Sequence, residues 1–135
     1  MTLVKTDQWN NPKVQLLGDG VRMRNEAWFK YFPGAIIVTD ENAIIVEMND
    51  ASAEKYKEDG GFTLIGQNVI DCHPKSIQDK IHHIYESKKP NVYLIQNHGE
   101  KILIYQTPYV KDGKFAGVVE ISLPLPEEFQ YLDRD

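Results

Sequence analysis

Cys72 and His73 stand side by side ahead of Pro74, and a thiol next to an imidazole is where this sequence first offers a nucleophile or a metal ligand. A zinc site needs about four ligands. Apart from His82 and His83, the only further histidine is His98, on a distant hairpin turn. A Cys-His catalytic pair needs the two side chains turned toward each other and a third group to orient the base, and adjacent residues meet neither demand readily. The plainer expectation is that Cys72 packs as a small buried hydrophobe and that His73-Pro74 opens a helix. The carboxylates at Asp40, Glu41, Glu47, Asp50, Glu54, Glu58 and Asp59 fall in turns or on solvated helical positions, with no paired-acid geometry. Gly60-Gly61 ends a helix and does not follow a strand as a phosphate loop would. The chain therefore reads as a non-enzyme. Its remaining polar chemistry lies in Thr39, Gln106 and the tyrosine hydroxyls, set among isoleucines.

Those residues must be positioned by the elements around them. Ala35 to Asn49 carries two runs rich in β-branched residues, Ile36–Thr39 and Ile44–Val46, about an Asp40-Glu41-Asn42 turn, which predicts a hairpin. Both of its faces are partly apolar, so it needs cover on each side. Strict alternation sends Ile37, Thr39, Ile44 and Val46 inward, and Ile36, Val38 and Ile45 outward. Before it, Met23, Ala27, Trp28, Tyr31 and Phe32 recur at helical spacing over Val21–Phe32, and Pro33-Gly34 stops that helix. After it, Asn49 precedes a short helix, Gly60-Gly61 ends it, and Pro74 starts a longer helix reaching about Lys88 with Ile77, Ile81 and Ile84 inward.

The remainder predicts three strands, 91–97, 101–110 and 115–123, joined at His98-Gly99 and Asp112-Gly113. Counting out from His98-Gly99 pairs Ile95 with Ile102 and Tyr93 with Ile104 on one face. In the last strand Val119, Ile121 and Leu123 alternate with Glu120 and Ser122, which predicts the apolar set inward. The expected layout is a polar arm over 1–20, one domain over 21–123 and a short acidic tail over 124–135.

With 20 acidic against 15 basic residues the net charge is −5, which argues against tracking nucleic-acid phosphates. The single cysteine fits a reducing compartment. No run approaches the ~20 apolar residues of a membrane span. The expectation is a cytoplasmic protein without membrane or nucleic-acid partners.

The order of elements, an α+β arrangement with a five-stranded antiparallel sheet, helices on one face and an N-terminal flanking helix, resembles the PAS (Per-Arnt-Sim) sensor family. The matching pieces are Ile36-Ile37-Val38-Thr39-Asp40, Asn49 with Ala53 and Tyr56, Leu64-Ile65-Gly66, and Asp112-Gly113 followed by Gly117-Val118-Val119-Glu120. The resemblance implies a sensory or interaction module with an internal cavity. Homodimerisation would run through the Val21–Phe32 helix and the outer sheet face. The expected cavity lining is Ile37, Thr39, Tyr56, Ile81, Ile84, Tyr93, Ile104, Gln106 and Val119, with Ile44, Val46, Ile95 and Ile102 also on the inner face. The same residues alternatively form an ordinary filled core.

Flavin photochemistry of the light-oxygen-voltage type needs a cysteine that this sequence replaces with Val69, and Cys72 comes three residues later. Haem would need an inward histidine on the long helix. With Ile81 and Ile84 inward, His82 lies on the shoulder of the inner face and His83 points to solvent. The ligand is accordingly left as an unidentified small molecule, with a haem sensor through His82, a ligand-free dimerisation domain and a small cone-shaped α+β enzyme as the other readings. Only about a dozen residues follow the last strand, so output is expected to pass through dimerisation or a separate partner protein.

Overall fold

The computed structural model describes residues 27–135. The arm over 1–20 and the first part of the expected flanking helix lie outside them. The described part of that helix is α1, Ala27–Tyr31. Strands β1 (Ala35–Thr39) and β2 (Ile45–Met48) follow, then α2 (Asp50–Lys55), two 3₁₀ turns at Lys57–Asp59 and Gly61–Leu64, and α3 (Lys75–Ser87). The chain then runs through β3 (Asn91–Asn97), β4 (Glu100–Lys111) and β5 (Lys114–Pro124). The strands make one antiparallel sheet in the order β2-β1-β5-β4-β3, as expected for the fold class.

Both hairpin turns after α3 have the chemistry that two-residue loops demand. His98 and Gly99, then Asp112 and Gly113, all take positive φ, the backbone that matches the twist of the flanking strands. The first turn sets the register read from sequence: Tyr93 pairs with Ile104 and Ile95 with Ile102.

Asn49 ties the hairpin to α2. It is almost fully buried, at 1% exposure, and its side-chain oxygen accepts from the backbone N–H of Ser52 and of Ile36, at 3.1 and 2.9 Å. Its amide donates to the Gly34 carbonyl at 2.8 Å. One side chain thus caps α2 and fixes where β1 begins.

Two bulges decide which side chains face the helices. Between Val38 and Thr39 the partners on β2 jump from Glu47 to Ile45, leaving Val46 unpaired. Ile45 and Met48 therefore turn inward and form the core with Leu64, whereas Val46 is exposed. The expected inward set of Ile44 and Val46 is corrected accordingly; Ile44 instead bridges to Asn68. On β5 the partner of Tyr109 is Gly117 while that of Val110 is Phe115, so Ala116 is the extra residue. Each bulge inserts one residue and reverses the phase of all that follows. Val118, Glu120 and Ser122 consequently share the inner face with Ile37, Thr39, Ile104 and Gln106, and Val119, Ile121 and Leu123 turn outward.

Gly117 is where this backbone leaves no room for a side chain. Its φ is +147°, and a Cβ there would stand 2.0 Å from the Thr39 carbonyl oxygen.

Candidate functional site: a cavity between the sheet and α3

Between the inner sheet face and the α2–α3 segment lies a cavity of about 550 Å³. Its floor is pinned by backbone bonds to the β2 edge. Ile45 N–H donates to Gln67 O at 2.9 Å, Gly66 N–H to Ile45 O at 2.8 Å and Val69 N–H to Ala43 O at 2.7 Å. This brings Leu64, Gln67 and Val69 into the lining. α3 contributes Ile81, Ile84 and Tyr85 from one face, the i, i+3, i+4 pattern of a helical stripe. Ile77, expected on that stripe, does not line the cavity and is exposed.

Of the nine residues expected to line the site, Ile37, Thr39, Tyr56, Ile81, Ile84 and Gln106 do so. Tyr93 and Ile104 are on the inner face but outside the lining, Ile104 because it is packed away at 3% exposure and Tyr93 because it sits on the open β3 edge. Val119 is on the other face, displaced by the Ala116 bulge. Sequence reasoning missed Glu120, Val118, Ile45, Leu64, Tyr85 and Asp59. The signals were a glycine at 117 inside a strand, which commonly marks a bulge, and Tyr85 four residues after Ile81.

The wall carries two polar groupings. Thr39 Oγ1 lies 2.5 Å from the Tyr85 hydroxyl and accepts from Val118 N–H at 3.3 Å. Across β3, β4 and β5, Asn91 Nδ2 donates to Gln106 Oε1 at 2.8 Å, and Gln106 Nε2 donates to Glu120 Oε1 at 2.7 Å. Tyr56 faces the same carboxylate. Burial first, then the negative charge of Glu120, holds its hydroxyl far above the usual tyrosine range. Tyr93 is raised by the same two causes in the same order. Burial also raises Tyr85, opposed by its bond with Thr39.

Cys72 and His73 both border the cavity but with separate partners. Cys72 Sγ donates to Gln67 Oε1 at 3.5 Å, and the residue is exposed, so the expectation of a buried cysteine is corrected. Protein atoms around the sulfur, then the charges of Asp71 and Asp59, push its pKa up, which favours the thiol over the nucleophilic thiolate. His73 Nδ1 is 2.6 Å from the Val69 carbonyl and therefore carries the proton. His82 and His83 are exposed and do not line the cavity, so the residues do not fit a haem held through His82. Val69 stands where flavin photochemistry of the light-oxygen-voltage type would need a thiol, so the residues do not fit that chemistry either. No helix among the described residues is long and apolar enough to cross a membrane.

No family model and no curated protein matches the chain. Solved structures do. A C-terminal domain from Streptococcus mutans superposes with a TM-score of 0.62 at 20% identity, covering 73% of this chain and 80% of that one. The PAS domain of Bordetella pertussis BvgS gives 0.56 at 16%, covering 75% and 83%. VqmA bound to DPO gives 0.58 at 19%, covering 75% of this chain and 56% of that one; VqmA from Vibrio cholerae is described as a dimer. The likeness at these identities is one of architecture, and the architecture is the PAS fold.

Proposed function

We propose that this chain is a PAS-type sensory module that binds a small molecule in the cavity between α3 and the sheet and signals by changing its association with a second copy or with a separate partner protein. The observation that carries the reading is the cavity itself: about 550 Å³, walled mainly by apolar side chains, with a few convergent polar groups on one side. A pocket of that size and composition suits a small organic ligand. A ligand there touches β1, β4, β5 and α3 together, so it can favour one packing of helix on sheet over another only by its differential contacts with the two.

The association surface in this reading is the outer sheet face with α1. Trp28 is 68% exposed on α1, and Leu94 is 57% exposed on the outer face beside Val92 and Tyr105. VqmA, described as a dimer and as bound to DPO, supports the reading by analogy. The same apolar face supports the second reading, a dimerisation domain that never takes a ligand. Native mass spectrometry of the protein purified from its expression host decides between them. A co-purifying small molecule at a fixed ratio to protein supports the sensor; a ligand-free spectrum that no added small molecule changes supports the second reading.

A further inference from the structure

We propose that the cavity takes a small organic cation, a protonated amine on an apolar body, with Glu120 as its counter-ion; this rests on the ligand-binding reading above and sharpens it. The cavity is lined by two carboxylates, Asp59 and Glu120, and by no lysine or arginine. Lys55 stands beside the lining and outside it: its Nζ donates to Ser122 Oγ at 2.9 Å and lies over the Tyr56 ring.

The polar groups of the wall already have protein partners. Gln106 gives one amide N–H to Glu120 and receives one from Asn91, and the Tyr85 and Thr39 hydroxyls are paired with each other. An ionised carboxylate offers about four lone-pair sites. The bond from Gln106 leaves acceptor capacity on this carboxylate where it lines the cavity. A ligand carboxylate or phosphate would meet that carboxylate with no lysine or arginine among the lining residues to offset it, whereas an ammonium would answer it. Around this polar wall stand Ile37, Ile45, Leu64, Ile81, Ile84 and Val118, which suit a hydrocarbon or aromatic body.

The test is calorimetric titration of the full chain at neutral pH with a matched panel: primary alkyl- and arylalkylamines, and the alcohols and carboxylic acids on the same carbon skeletons. The expected result is that the amine binds about tenfold or more tighter than the alcohol, with the acid weakest, as a charge-assisted hydrogen bond implies. Glu120→Gln should weaken the amine by about ten- to a hundredfold and by clearly more than it weakens the alcohol. Acid binding equal to or tighter than amine binding overturns the inference, as does an amine affinity unchanged by Glu120→Gln. If alcohols bind and amines bind no better, the cationic ligand falls while the cavity remains a binding site. If no member of the panel binds, both fall. The wild-type order of amine, alcohol and acid remains decisive even if the variant does not fold.

Discussion

The two faces of this sheet differ: polar groups interrupt the apolar inner face, while the outer face carries an unbroken apolar band along β1, β5 and β4. The inner face, which should be the greasy one, presents Thr39, Gln106, Glu120 and Ser122 along β1, β4 and β5. The outer face presents Val38, Leu103, Tyr105, Val119, Ile121 and Leu123, and at its open end Val92 and Leu94. A polar network costs stability when buried for its own sake and is retained where something must be recognised. An exposed apolar face likewise points to a second surface. In the function proposed above, recognition falls to one side and association to the other.

The bulge on β5 creates that contrast, so disturbing it should have the largest effect. Gly117→Ala would place a methyl against the Thr39 carbonyl in a backbone conformation alanine avoids. It should cost about 3 kcal/mol or more, read as a lower urea midpoint. A variant within about 0.5 kcal/mol of wild type would mean that the bulge does not set the faces. Asn49→Ala comes next. It removes the α2 cap and leaves the Ile36 N–H and Gly34 carbonyl without their partner, an expected loss of about 2–4 kcal/mol.

Alkaline pH probes the inner face without mutation. Tyr56, Tyr85 and Tyr93 all have raised pKa values in the folded protein. Above about pH 10 the unfolded chain gives up these phenolic protons while the native protein keeps them, so stability is flat below that pH and falls above it. Tyr56→Phe should make the decline in melting temperature shallower; an unchanged slope would show that burial and the neighbouring carboxylate do not raise the Tyr56 pKa in the fold. The smallest effect on stability belongs to the outer face. Leu94→Lys should change unfolding by less than about 0.5 kcal/mol, yet lower the mass seen in light scattering at high concentration. An unaltered mass, dimeric or monomeric, would remove the association role from this face.

Much of the fold was readable in the residues because local chemistry dictated it. The His98-Gly99 turn specified the β3–β4 register, Asn49 announced α2, and the isoleucine spacing placed α3. The inner-face residues were read correctly wherever the chain kept a simple period, as at Ile37, Thr39, Ile81, Ile84 and Gln106. They were misread after each bulge, because one inserted residue turns alternation into its opposite. Apolar alternation then pointed Val119 inward and Glu120 outward, and no rule of burial corrects this where the inner face carries a polar group. Tyr85 and the 64–69 floor depend on which side of α3 and which edge of β2 they meet, contacts that a linear pattern does not encode.

The isoleucines offer the most direct test, since their methyl groups report both faces in one experiment. In a methyl-labelled NMR titration of the full chain with the tightest-binding amine of the panel, Ile37, Ile45, Ile81 and Ile84 should show the largest shifts, in proportion to occupancy, with smaller changes at Ile36 and Ile121. Shifts confined to Ile36 and Ile121, or none at saturating amine, would contradict the assignment of the inner face as the binding face.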